Sequence, residues 1–206
     1  MAKHYEWTPE EISKFISASE DLANGKHSRY DYSTLLRLLL VTGLRVSEAL
    51  ALQWRNVGLL NAELRVEHSL QRNGELGAPK TEAGTRIVPL SPGLVDSLLK
   101  LKPLDAEEDA FVFASRSNPH RPLSYWNLRN RGFQKTLGRS GLDGNGITIH
   151  SLRSAAISLY AARGLSMFEV AELMGQKNPD VTWRHYARLF DRRNVFERAR
   201  QAQGSV

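Results

Sequence analysis

A mainly α fold carrying a small three-stranded antiparallel β-sheet, an α+β arrangement, is what this 206-residue chain predicts. Three observations carry that expectation. Apolar residues recur at helical spacing behind recognisable caps over most of the chain. Between residues 57 and 90 the period shortens to alternation, punctuated by Gly74, Gly77, Pro79 and Gly84. Repeats, low-complexity tracts and Pro- or Ser-rich linkers are missing from the sequence, so one domain is expected over 1–206, with a core of about 7–189 and a tail of 190–206.

Thr8 can cap the first helix, Pro9 fits its first turn and Glu11 closes a capping box, with Ile12, Phe15 and Ile16 as the buried stripe. A second helix starts near residues 31–33 and is apolar nearly all round over 35–41, which marks a central element; Gly43 is placed to end it with a left-handed cap. The third helix spans 46–52, so Arg45 stands at its N-terminus. Strands are expected near 57–59, 64–68 and 86–90. Ser91 and Pro92 then cap and start a helix carrying Leu94, Val95, Leu98 and Leu99. Residues 111–113 read as a brief extended segment and 114–122 as a polar, basic loop. Ser124 caps a helix to Gly138 with Leu128, Phe133 and Leu137 inward. After a glycine-rich loop, a helix begins around His150, buries Leu152, Ala156, Leu159 and Tyr160, and stops at Gly164. Ser166 and Glu169 form a second capping box over a short helix with Val170, Leu173 and Met174 inward, ending at Gly175. Asn178 and Pro179 open a last helix that carries Tyr186.

The composition is that of an ordinary globular protein, 41% apolar and 24% charged, and the net charge of +6 favours polyanionic partners. Cysteine is absent, which excludes disulfides and thiolate metal sites and agrees with the reducing cytoplasm. The longest apolar run is short and interrupted by Arg37, so neither an export signal nor a membrane span is expected.

Five polar groups stand out by position. Arg45 follows Thr42-Gly43-Leu44, Lys80 lies at a turn between strands, His150 and Arg153 are one helical turn apart, and Tyr186 sits in a late helix. Two guanidiniums suit the nonbridging oxygens of a phosphodiester, being permanently charged and able to bond bidentately. Helix starts, where both are placed, already favour anions.

This set resembles the catalytic domain of the tyrosine recombinases, or phage integrases. Thr42-Gly43-Leu44-Arg45-Val46-Ser47-Glu48-Ala49-Leu50 looks like the family's first arginine box. Lys80-Thr81 followed by Arg86-Ile87-Val88-Pro89-Leu90 is similar to its hairpin lysine and following strand. His150-Ser151-Leu152-Arg153 is similar to the H-x-x-R box, and Met174-Gly175-Gln176 sits where the family has Leu-Gly-His. The resemblance runs from about Trp7 to Leu189 and implies a tyrosine recombinase catalytic-domain fold.

It also implies metal-free, cofactor-free cleavage and rejoining of double-stranded DNA through a 3′-phosphotyrosyl intermediate. Tyr186 would be the nucleophile, Arg45 and Arg153 the phosphate grips, and Lys80 the acid for the leaving 5′ oxygen. His150 would bond the phosphate or assist proton transfer, and Glu48 would orient the site by accepting from Arg45 or His150. Gln176 departs from the family's histidine or tryptophan; its amide can donate to a nonbridging oxygen but holds no proton. His185 reads as surface or packing. The family's N-terminal helical clamp is expected to be absent, since fewer than ten residues precede the first helix. The basic tail resembles a segment that packs on a neighbouring subunit, so self-association, a tetramer on DNA in the full-length context, is expected; a helix on its own core is the other reading. Two further functions stay open: a DNA-binding accessory module of the same fold with weak or no catalysis, and a type IB topoisomerase.

Overall fold

The computed structural model describes residues 5–25, 30–79, 82–177, 200–201 and 203. The expected lysine at 80, the helix carrying His185 and Tyr186, and the basic tail apart from residues 200, 201 and 203 lie outside the described residues.

Helix α1 (Pro9–Asn24) opens on the expected capping box, Thr8 Oγ1 accepting from the Glu11 N–H and the Glu11 carboxylate accepting from the Thr8 N–H. Helix α2 (Ser33–Thr42) buries Leu35, Leu36, Leu38, Leu39 and Leu40 completely or nearly so. Burial of each such leucine contributes about 1.5–3 kcal/mol, which is why this helix sits at the centre, packed against α1 and three later helices. Helix α3 (Val46–Leu50) follows and is shorter than expected, ending in a turn at Ala51. A 3₁₀ turn at Trp54–Asn56 leads into the strands.

Strands β1 (Val57–Gly58), β2 (Glu63–Val66) and β5 (Arg86–Pro89) form the expected three-stranded antiparallel sheet, ordered β1-β2-β5. Its register pairs Leu64 with Val88, Arg65 with Ile87 and Val66 with Arg86. The pleat sends Leu64, Val66 and Val88 into the core and leaves Ile87 half exposed on the outer face. Between β2 and β5 runs an additional hairpin, β3 (Ser69–Leu70) with β4 (Leu76–Gly77), and a 3₁₀ turn at Glu82–Gly84.

Helix α4 (Pro92–Leu101) buries Leu94 and Leu98, whereas Leu99 is 52% exposed, because it falls a quarter turn off the inward stripe. Ser91 holds the capping position with extended backbone but makes no side-chain cap bond. Residues 114–122, expected as a loop, instead pair as β6 (Ala114–Ser115) and β7 (Asn118–Pro122), while residues 111–113 contribute a single bridge from Phe111 to Gln53. The next helical stretch is built of α5 (Tyr125–Asn127), a π-helical segment at Leu128–Phe133 and α6 (Gln134–Ser140), with Leu128, Phe133 and Leu137 buried as expected. Ser124 makes no side-chain cap there, and the helix ends at Ser140 rather than Gly138.

Helix α7 (Ser151–Ala162) packs along α2 and is buried on every side over 151–157, whereas Leu159 and Tyr160, expected inward, are only partly buried where the helix leaves the core. The extended segment before α1 is pinned to it: the Trp7 indole N–H donates to the Ser151 carbonyl at 2.8 Å. Helix α8 (Met167–Leu173) opens on the expected Ser166–Glu169 capping box. With α7 it encloses a small second core of Ala156, Ile157, Val170 and Met174. Among the described residues no helix is long and apolar enough to cross a membrane.

Candidate active site

The first half of the site is the turn between α2 and α3. Gly43 closes α2 in the left-handed region at φ +67°, and its N–H donates to Leu39 at 3.1 Å. A Cβ at that position would be strained by the positive φ and would stand 2.5 Å from the Met174 sulfur, so the end of that side chain would have to move. Arg45 then takes extended backbone as the capping residue of α3. Its N–H donates to Glu48 Oε2 at 2.9 Å and its Nη1 to Glu48 Oε1 at 2.6 Å. The Arg45 side chain keeps 27% of its surface exposed, which leaves it accessible to a phosphate oxygen, while Glu48 is 1% exposed.

Strand β5 supplies a second cation to the same carboxylate. By the two-residue period of the strand, Arg86 shares the inner face with Val88. Its Nη2 donates to Glu48 Oε2 at 3.0 Å, its Nε to the Leu173 carbonyl at 2.8 Å and its Nη1 to the Gly84 carbonyl at 2.9 Å. Burial alone would raise the Glu48 carboxyl; the Arg86 charge and the hydrogen bonds from Arg86 and Arg45 outweigh it and hold the group below its ordinary value. Glu48 is therefore an ionised acceptor at neutral pH.

Helix α7 brings in Arg153, which is buried. Its Nη1 donates to the Gly43 carbonyl at 2.5 Å and its Nη2 to the Met174 carbonyl at 2.6 Å. Residues 43, 153 and 174, far apart in the chain, are thus joined through one planar guanidinium. His150 stands exposed immediately before α7, one turn from Arg153. Gln176 follows the left-handed Gly175, at φ +62°, and its N–H donates to the Ala171 carbonyl. With Thr85, Arg86, Ile87, Phe168 and Lys177, Gln176 lines an open groove between β5 and α8.

Arg45, Glu48, Arg153 and Gln176 are therefore carried on segments that meet, and His150 lies one turn from that meeting point. Lys80 and Tyr186 lie outside the described residues. The phenol of Tyr160, partly buried on α7, is pushed up by burial, with the Arg86 charge opposing. Arg86 was not among the expected site residues. The signal that could have found it is the strand period, which places an arginine at an inward position where a carboxylate must answer it.

Comparison with known proteins gives the family and the fold of the chain. The family model described as the phage integrase family matches residues 6–193. The chain is similar to the transposase from transposon Tn916 of Enterococcus faecalis, 28% identical over 194 residues, covering 87% of this chain and 47% of that protein. It is also similar to the ICEBs1 integrase of Bacillus subtilis, 25% identical over 197 residues, covering 89% of this chain and 50% of that protein. Among solved structures, the Tn1549 transposon integrase in complex with circular intermediate DNA superposes with a TM-score of 0.71 at 21% identity, over 89% of this chain and 62% of that one. That likeness shows the fold. The chain spans about half the length of the curated relatives it matches. With the family model covering nearly all of it, the chain belongs to the phage integrase family.

Proposed function

We propose that this chain is the catalytic portion of a site-specific DNA recombinase, cleaving and rejoining double-stranded DNA through a 3′-phosphotyrosyl link. The observation that supports the reading is the Arg153 guanidinium, which ties the turn before Arg45 to the Met174-Gly175-Gln176 segment and so brings three of the motifs that resemble the family's together.

In the proposed reaction the Tyr186 oxygen attacks the scissile phosphorus and gives up its proton to solvent. The bond from phosphorus to the 5′ oxygen breaks, and Lys80 protonates that leaving oxygen. Arg45, Arg153, His150 and Gln176 bond the nonbridging oxygens as their charge grows, and ionised Glu48 holds Arg45 in place. Rejoining runs in reverse, with a 5′ hydroxyl attacking the phosphotyrosine and releasing Tyr186. The chain acts as a single catalytic domain, and self-association, a tetramer on DNA in the full-length protein, supplies the second strand. Taken alone it binds DNA weakly and loses affinity steeply with salt.

The test is a pool of singly nicked duplexes with randomised sequence around the nick, from which a short 5′-hydroxyl fragment escapes after cleavage. The expected result is a covalent protein–DNA adduct on a denaturing gel that Tyr186→Phe abolishes. DNA retention without an adduct would select the binding-module reading. Relaxation of supercoiled DNA without exchange would select a type IB topoisomerase.

A further inference from the structure

We infer that Arg86 is a positioning residue for the proposed cleavage reaction: from inside the fold it fixes Arg45 through Glu48 and fixes the Gln176 segment through the Leu173 carbonyl. The inference rests on the proposed function, and it assigns work to a residue that the recombinase reading itself leaves unused.

The geometry supports it at each contact. The Arg86 side chain is largely buried, and each of its three nitrogens is already taken by an acceptor in a different segment of the fold rather than left for a phosphate. One is Glu48 Oε2, whose carboxylate also holds the Arg45 N–H and Nη1. The second is the carbonyl of Leu173, the last residue of α8 and three before Gln176. The third is the carbonyl of Gly84, which closes the 3₁₀ turn following Lys80 and Thr81.

Gly175 lies directly against this guanidinium: a Cβ there would stand 2.7 Å from Arg86 Nη1 and 3.0 Å from its Cζ. The chain therefore turns over the arginine before it reaches Gln176. Lysine keeps the charge but presents a single ammonium on a flexible stem, which does not reproduce a planar fork reaching three acceptors. The Arg86 charge also holds Glu48 ionised against its burial, so its removal would let Glu48 protonate at a higher pH.

Four measurements on the 206-residue chain test the proposal with the nicked-duplex pool: single-turnover adduct formation, DNA retention, thermal unfolding and the pH profile of cleavage. Arg86→Lys and Arg86→Gln are each expected to slow adduct formation about 10- to 100-fold, the loss that a small misplacement of reacting groups produces. DNA retention should change less than about twofold, since no phosphate contact is removed. In Arg86→Gln the acid limb of the cleavage profile should also move to higher pH, a shift that a generally loosened fold would not produce. Arg86→Lys preserves the charge and serves as the second variant should Arg86→Gln fail to fold. Wild-type cleavage rates in a folded Arg86→Lys chain, or equal losses of cleavage and DNA retention in both variants, would overturn the proposal. Failure of the wild-type chain to form any adduct would instead sink the recombinase reading, and this proposal with it.

Discussion

Glu48 and the Glu107–His120–Asp109 group both set carboxylates against basic side chains, at opposite extremes of solvent access. Glu48 is 1% exposed, is bonded at 2.6 and 3.0 Å to Arg45 and Arg86, and joins elements 38 residues apart. In the second group the His120 nitrogens stand 3.6 and 3.7 Å from Glu107 and Asp109, with side chains 43–69% exposed. Water screens the second group and gives it little energy, whereas the first has exchanged hydration for directed bonds and holds three segments in register. A cluster of charge thus becomes a site through burial with complete hydrogen bonding, not through the number of charged groups.

The strongest way to break this contrast is to remove the buried carboxylate. Glu48→Ala leaves Arg86 without its counter-ion inside the fold and should destabilise the chain by about 3–5 kcal/mol, read from urea unfolding. Gly43→Ala should cost less, about 1–3 kcal/mol, because it forces a side chain into the left-handed region and against Met174. The pH dependence of stability sharpens the same contrast. The Glu48 carboxyl lies below its ordinary value of 4.5 in the folded chain, so its ionised form stabilises the fold above that value and the benefit is lost as pH falls through the folded one. The stability gap between wild type and Glu48→Gln should therefore narrow from neutral pH into the acid range. At the small end, His120→Ala should shift stability by no more than about 0.5 kcal/mol.

Much of this molecule is legible before any coordinate is known. The capping boxes at Thr8 and Ser166 and the left-handed glycines at 43 and 175 follow from local chemistry, and the structure contains each of them. The β1-β2-β5 sheet is legible because alternation and punctuation both survive in its strands. The two small hairpins were hidden because their pairings span only a few residues, too short for a period to form. Side-chain caps at Ser91 and Ser124 failed for a different reason: backbone geometry was supplied without the serine bond. The cluster itself divides in the same way. Arg45, Arg153 and Glu48 could be picked out by motif, but the bridging of Gly43 to Met174 and the part taken by Arg86 depend on which distant segments touch, and no local pattern encodes that.

The most direct measurement compares the two clusters in one assay, single-turnover formation of the covalent adduct on nicked duplex. Glu48→Gln is expected to slow adduct formation at least about tenfold, whereas a chain with Glu107→Gln, Asp109→Asn and His120→Gln together should cleave at the wild-type rate. Equal rates for Glu48→Gln and wild type, or a comparable loss in the triple variant, would contradict the assignment of the buried cluster as the reaction's centre.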